Sequence, residues 1–240
     1  MNAGVHNILV IDTASDGARA ILLQRGRVVA WRALAEKHAA QQSLNLCQEA
    51  LADGKLRARD LDLLAVNCGP GSFTGIRIGV AVTQGLAYAA RCQVIALSAL
   101  ELFASSVPRN DQVEPVLVAI ASVNDEFFLA GYEVKGTQVI ERLSQRVVQT
   151  RDLGAIGQEL LAISPRWSLA GEPWFNGARL EALGGAAAGF THLTGWNPAS
   201  IQQLAHYTLG KIEMCERLDA TSLMPNYLKE SIQYKQAGAG

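Results

Sequence analysis

The chain has 240 residues, of which 49% are hydrophobic and 18% charged, so it can bury a core and is not a disordered protein. Its formal net charge is −1 and the sequence contains no basic stripe, which argues against strong, unaided binding to nucleic acid; any contact with RNA is expected to be shared with a partner. Four isolated cysteines, without a signal peptide or an apolar run long enough to span a bilayer, predict a reduced protein of the cytoplasm.

The first hundred residues alternate short strands with helices. Residues 8–11 form a buried strand that ends in a polar turn, and residues 18–24 and 27–31 continue as an antiparallel meander. Residues 36–52 carry apolar side chains at three- and four-residue spacing, which predicts a helix. Strands are then predicted at residues 61–67 and 93–97, on either side of a glycine-rich loop and a second helix.

The loop GPGSFTG at residues 69–75 is open to three chemical interpretations. A phosphate-binding P-loop requires a lysine after its last glycine, where this chain has Ile76, and a nucleophile elbow requires a serine where it has Phe73. The third interpretation is a sharp turn that starts a helix, whose N-terminus could also accept an anion. This candidate anion site could also be a vestigial one that no longer binds an anion. Its residues are Asp12, Gly69, Gly71, Ser72 and Thr74.

The helix after this loop is almost uncharged. Arg77 is the only charged residue from 76 to 90, and small residues recur at four-residue intervals. Such a surface is expected to be covered, in part by the helix's own sheet and in part by a second lobe or by another protein. The stripe of small residues consists of Gly75, Gly79, Thr83 and Ala87.

The second half repeats the first in pattern. The strand and turn at residues 117–122 resemble those at 8–13, and two further strands follow, one from residue 127 to 132 and one through residue 140. We therefore expect an α/β protein with duplicated βββαβα repeats, as in the two-lobed actin-like ATPase (RNase H-like) fold. The expected boundaries are a first lobe at 1–107, a second lobe at 108–196, a helix at 197–218 that could pack back on the first lobe, and an extended tail at 219–240.

An ATPase or kinase of this fold needs an acidic residue in each lobe to hold magnesium. Asp12 is suitably placed, either as a vestigial ligand or as a carboxylate that caps the turn after its strand. Its counterpart in the second lobe is Ala121, with Asp125 and Glu126 further along the turn. The four histidines form no H-x-x-x-H pair, so no metal and no cofactor are expected, and Trp167, Trp174 and Trp196 are expected to pack within the lobes.

Two segments together resemble the TsaB (YeaZ) family. They are ILVIDTA at residues 8–14 and GPGSFTGIRIG at 69–79, supported by QGLA at 84–87 and by PNYLK at 225–229. The resemblance is specific over residues 8–103 and weak from about 110 to 220. Two departures from the family pattern are the absence of an aspartate and an arginine after the strand that opens the second lobe, and Lys229 where an arginine is usual.

The resemblance implies a non-catalytic subunit that acts with a TsaD-like enzyme and a TsaE-like ATPase. Together they place a threonylcarbamoyl group on the tRNA adenosine next to the anticodon, so tRNA is contacted indirectly. It also implies pairing with TsaD, or with a second copy as a homodimer, through the helices at 36–52 and 76–90. The interface residues expected there are His38, Leu44, Cys47, Leu51, Ile76, Gly79, Val80, Thr83 and Ala87.

Three other functions stay open at this stage. A metallopeptidase predicts bound metal and peptide cleavage, a sugar-kinase-like phosphotransferase predicts ATP turnover with a polyol, and a homodimeric interaction protein would use the same helices without tRNA. If the helices do form an interface, a bulky residue at Gly79 or Thr83 is expected to abolish pairing while the monomer stays folded.

Overall fold

The computed structural model describes residues 6–15, 17–36, 38–108, 114–184, 189–193 and 200–228. Its first lobe is built on a five-stranded sheet in the order β3-β2-β1-β4-β5. The strands β1 to β3 form the predicted meander, whereas β4 and β5 run parallel to β1. The bounds are Asn7–Asp12 (β1), Ala18–Gln24 (β2), Arg27–Leu34 (β3), Leu63–Asn67 (β4) and Gln93–Leu97 (β5).

Two helices connect strands of this sheet, and a third follows β5. They are α1 (Ser43–Asp53), α2 (Phe73–Ala90) and α3 (Ala99–Ser106). The helix predicted from residue 36 begins seven residues later, after a short 3-10 turn at Ala39–Gln42. The reason is His38, whose φ of 68° lies in the left-handed region and cannot continue a right-handed helix.

The second lobe repeats this topology. Its sheet has the order β10-β9-β6-β7-β8, which is the order of the first sheet when it is read from the other edge. The strands are Val116–Ala121 (β6), Glu126–Lys135 (β7), Gln138–Gln149 (β8), Trp167–Ala170 (β9) and Phe190–His192 (β10), with helices at Leu153–Ile163 (α4) and Gly177–Leu183 (α5). The duplicated, two-lobed α/β fold predicted from the sequence is confirmed, although β8 extends nine residues beyond the predicted end of its strand at residue 140.

The last helix, α6 (Ile201–Ile212), packs on the first sheet rather than on the second. Its buried residues Leu204, Ala205 and Tyr207 share one apolar cluster with Ile8 and Val10 of β1. The chain leaves the helix after Ile212, short of the predicted end at residue 218, because Leu218 forms a β-bridge with Val94 at the edge of that sheet.

Helix α3 lies between the two lobes. Leu102 belongs to the cluster of the first sheet and α6, whereas Leu100, Phe103 and Ala104 pack with β6 and β7 of the second lobe. The other face of each sheet is covered by that lobe's own helices, where Trp167 and Trp174 are buried. Trp196 lies outside the described residues. None of the helices in the described part of the chain is long and apolar enough to cross a membrane.

Candidate functional site

The loop at residues 69–75 is pressed against the turn that follows β1. The amide of Ser72 donates a hydrogen bond to the Ala14 carbonyl over 2.8 Å. A Cβ atom at Gly71 would overlap that same carbonyl group, and one at Gly75 would overlap the Thr13 carbonyl oxygen. The loop therefore needs glycine at both positions because two stretches of backbone approach each other closely.

Three backbone amides of the loop, those of Gly69, Ser72 and Gly75, have partners within the chain. The Gly69 amide donates to the Asn67 side-chain oxygen over 3.0 Å, and the Gly75 amide donates to Oγ of Ser72, which caps α2. Gly69 itself has a φ of 100°. These contacts favour the turn-and-cap interpretation, and the anion site stays a prediction.

The carboxylate of Asp12 is fully buried and holds the turn after β1 together. It accepts hydrogen bonds from the Ala14 amide (3.1 Å), Oγ of Ser15 (3.1 Å) and Nδ2 of Asn67 (3.0 Å). The guanidinium of Arg19 pairs with it over 2.8 Å and supplies the opposite charge that burial of a carboxylate requires. Of the two roles considered for Asp12, these contacts support the turn-capping one.

The equivalent position of the second lobe carries no carboxylate. Ala121 ends β6 and is exposed, and the acidic residue further along the turn, Asp125, points to Arg179 and Thr150 at 2.8 Å each. These two hydrogen bonds lower the pKa of Asp125 below its usual value. The carboxylate is thus held by its own lobe rather than placed opposite Asp12.

The stripe of small residues on α2 faces the protein's own core. Gly79 lies against Thr13 and Val66, so a Cβ there would overlap Oγ1 of Thr13, and that hydroxyl donates to the Gly75 carbonyl over 2.7 Å. Thr83 is fully buried and donates to the Gly79 carbonyl. These contacts argue against the expectation that a bulky residue at Gly79 or Thr83 leaves the monomer folded, because a larger side chain at Gly79 would press on Thr13 and Thr83 has no free space beside it.

The predicted interface residues divide into two sets in the structure. His38 and Leu44 are exposed, and Leu44 is 42% accessible. The other seven are buried within the first lobe and offer no surface to a second chain in this conformation: Cys47, Leu51, Ile76, Gly79, Val80, Thr83 and Ala87. Whether α1 and α2 form an interface at all is not decided by this burial, since each helix has a second face.

The opposite face of α2 is exposed, and the one charge on this side of the helix is Arg77, near the N-terminal end. We call it the outer face of α2; its residues are Ile78, Ala81, Gly85, Tyr88 and Ala89. Ile78 is half-buried, the other four are exposed, and Tyr88 is 84% accessible. The sequence contained this second stripe at the same three- and four-residue spacing, but periodicity alone does not say which stripe faces the core.

The tail ties the first turns of α2 to both lobes. Leu223 is buried in the first core, and its carbonyl accepts from the Gln84 side chain. Asn226 donates from its amide to the Cys68 carbonyl (2.9 Å) and from Nδ2 to Gln145 of β8 (3.1 Å). The exposed aromatic rings of Phe73 and Tyr227 then flank the guanidinium of Arg77, which donates to the Tyr227 hydroxyl.

A polar network joins α3 to α6 beside the lobe boundary. Glu101 accepts from the Tyr207 hydroxyl (3.0 Å) and pairs with Lys211 (2.5 Å). Burial raises the pKa of Tyr207 well above its usual value, so this phenol is a constant donor. Among the described residues, no group of three or more histidine, cysteine, aspartate or glutamate side chains is arranged to hold a metal ion.

Comparisons with known proteins agree with this architecture. The family model TsaD, described as tRNA N6-adenosine threonylcarbamoyltransferase, matches residues 32–193. The tRNA threonylcarbamoyladenosine biosynthesis protein TsaB of Haemophilus influenzae is 29% identical over 239 residues, which cover 95% of this chain and 96% of that protein. The TsaB protein of Escherichia coli is 30% identical over 167 residues, 70% of this chain and 71% of that protein. The solved structure of YeaZ from Pseudomonas aeruginosa has a TM-score of 0.72 at 24% identity and covers 93% of this chain and 100% of its own.

Proposed function

The chain belongs to the TsaB (YeaZ) family, and we propose that it is the non-catalytic subunit that pairs with a TsaD-like enzyme in tRNA threonylcarbamoyladenosine biosynthesis. The relatives from Haemophilus influenzae and Escherichia coli carry that pathway in their names. In this proposal a TsaE-like ATPase joins the pair, the enzyme carries the active site, and the assembly works in the cytoplasm, where its tRNA substrate is.

The observation that carries this proposal is the outer face of α2. An 18-residue helix with one charged residue presents Ala81, Gly85 and Ala89 to solvent in a row, and large aromatic area at Tyr88 lies beside them. Small side chains let a second helix approach closely, and exposed apolar area of this kind is typical of a protein interface. Leu44 on α1 is a further exposed apolar side chain.

The non-catalytic part of the proposal is supported by the acidic residues. Asp12 is fully buried and bonded to Arg19, Ser15 and Asn67, and the matching position of the second lobe is Ala121. The pair of carboxylates that would position magnesium and an attacking group in an enzyme of this fold is therefore not assembled. Helix α3 also fills part of the space between the lobes with Leu100 and Phe103.

A homodimer is the second candidate, because the same outer face could pair with a copy of itself. It predicts that the isolated chain is a dimer, as measured by size-exclusion chromatography with light scattering. A charged residue placed on the outer face should dissociate this dimer. A heterodimer predicts that the TsaD-like protein displaces one copy. Both candidates place the contact on the outer face and differ only in what covers it.

The test is a charge placed at the centre of that face. Ala81→Arg keeps a good helix former at an exposed position, so the fold is preserved while a guanidinium enters the contact. We expect at least a 100-fold loss of affinity for the TsaD-like partner by titration calorimetry, since buried and unpaired charge costs several kcal/mol. The matched control is Ala162→Arg on the exposed face of α4, which should bind as the parent does. Equal binding by both variants would move the interface elsewhere.

A further inference from the structure

One end of the first lobe collects positive charge from separate parts of the sequence. It is the end at which the parallel strands β1, β4 and β5 begin. The β2–β3 turn lies here, since the Arg25 amide donates to the His6 carbonyl over 2.8 Å and Arg27 pairs with Gln24 at the start of β3. Asp62 lies here too, because its amide donates to the Asn7 carbonyl at the start of β1.

Helices α1 and α2 also end at this side. Lys55 follows the end of α1, and Arg57 and Arg59 lie in the 3-10 segment that leads into β4. Arg91 is the C-cap of α2, directly before β5, and Gln93 of β5 pairs with Leu63 of β4. We call this end the basal surface; its cations, all exposed, are Arg25, Arg27, Lys55, Arg57, Arg59 and Arg91.

Most of this charge is not neutralised. Arg57 pairs with Asp60 at 3.4 Å, whereas the other five cations form no ion pair with any described residue. The carboxylate of Asp62 is already used, because it accepts from the amides of His6 and Asn7. Asp53, the last residue of α1, pairs with Arg32, and Asp219 lies beside the Leu218 bridge. Six cations against four carboxylates, of which Asp53 is paired with Arg32, leave the basal surface positive on a chain whose net charge is −1.

Stabilisation of helix ends accounts for only part of this pattern. Lys55 and Arg91 lie at the C-termini of α1 and α2, where the helix dipole favours a cation. The other three unpaired cations do not lie at the C-terminus of an α-helix. Arg25 lies in a hairpin turn, Arg27 in an edge strand and Arg59 in a 3-10 segment. Exposed arginines without carboxylate partners are suited to phosphate, which the guanidinium binds through two parallel hydrogen bonds.

We propose that the basal surface binds the phosphate backbone of the tRNA that the assembly modifies. This inference rests on the proposed function. The outer face of α2 runs directly into the basal surface, because Tyr88 and Ala89 form the last turn of the helix before Arg91. An RNA held by an enzyme on that face therefore meets these cations at its edge. Such contacts are independent of base sequence and fix the position of the RNA.

The experiment measures how the affinity of the assembled complex for tRNA depends on salt. The test variant combines Arg27→Gln, Arg59→Gln and Arg91→Gln. The matched control combines Lys135→Gln, Arg151→Gln and Arg166→Gln, which removes three exposed cations from the second lobe and changes the net charge equally. Each complex contains this chain with the TsaD-type and TsaE-type proteins of the same organism, and tRNA binding is followed by fluorescence anisotropy.

We expect the test variant to reduce the slope of log K against log salt by about 2, because each lost phosphate contact removes roughly 0.7 to 0.9. The control should keep the parent slope. An unchanged slope in the test variant would overturn the proposal. So would a test variant that, in the absence of tRNA, no longer co-elutes with the TsaE-type protein, because this result would identify an acidic protein surface as the partner. Failure of the proposed function gives a different result, since modification would then proceed without this chain.

Discussion

Thr13 shows how a single residue sets the position of a whole helix. Its carbonyl oxygen lies where a Cβ of residue 75 would be, and its hydroxyl lies where a Cβ of residue 79 would be. Both positions are glycine, and the hydroxyl also donates to the Gly75 carbonyl. The close approach between β1 and α2 therefore depends on two missing side chains and one hydrogen bond, which accounts for much of the GPGSFTGIRIG segment.

This close approach predicts opposite effects of alanine at two glycines of the same helix. Gly75→Ala would force a methyl group onto the Thr13 carbonyl, so we expect a loss of about 1 to 3 kcal/mol in the free energy of unfolding. Gly85 has open space around it, so Gly85→Ala should gain about 0.5 to 1 kcal/mol from helix propensity. Urea unfolding of both variants measures the difference, and equal effects would contradict the packing described for α2.

The cysteines give a second prediction at the residue scale. Burial raises the pKa of Cys47 and Cys68 to about 12 and that of Cys92 to about 11. At pH 8 only roughly one thiol in ten thousand is then a thiolate at the first two positions, and the thiolate is the reactive form. Iodoacetamide followed by mass spectrometry should leave Cys47 and Cys68 unmodified in the native protein and modify both in guanidinium. Rapid native labelling at either position would contradict their burial.

At the scale of elements, α2 shows what a sequence pattern can and cannot establish. Its lack of charge was readable from the sequence, whereas the helix begins at Phe73, three residues before the predicted start at residue 76. The pattern contains two stripes of small or apolar residues, however, and both have helical spacing. The choice between them depends on where β1 and its turn lie, which is a long-range fact, and for this reason the five predicted interface residues of α2 are in the core instead.

The tail gives a prediction with neighbouring residues as test and control. Leu223 is completely buried against the first core, whereas Met224 next to it is 69% accessible. Leu223→Ala should cost about 2 to 5 kcal/mol of stability, and Met224→Ala should have an effect within about 0.5 kcal/mol. Unfolding in urea and the rate of trypsin cleavage in the tail report both effects. A tail that is cleaved equally fast in the two variants would show that Leu223 does not anchor it.

At the scale of the whole molecule, the duplication was predictable although no residue identity carries it. The two sheets share one strand order and one pattern of parallel and antiparallel pairs. What the sequence could not provide is proximity between distant segments. The cations of the basal surface come from residues 25–27, 55–59 and 91, and they meet only because three parallel strands begin at one end of a sheet. A search for runs of basic residues along the sequence does not detect the basal surface.

The central claim is that this chain is required for the modification of tRNA and yet performs no catalysis itself. The most direct measurement incubates TsaD-type and TsaE-type proteins from the same organism with tRNA, ATP and the threonylcarbamoyl-adenylate donor, with and without this chain, and quantifies the modified adenosine. We expect modification only when the chain is present. The Ala162→Arg protein should support modification and the Ala81→Arg protein should not, and the chain with tRNA and donor alone should give no modified adenosine. Equal modification without the chain, or transfer by the chain alone, would contradict the account.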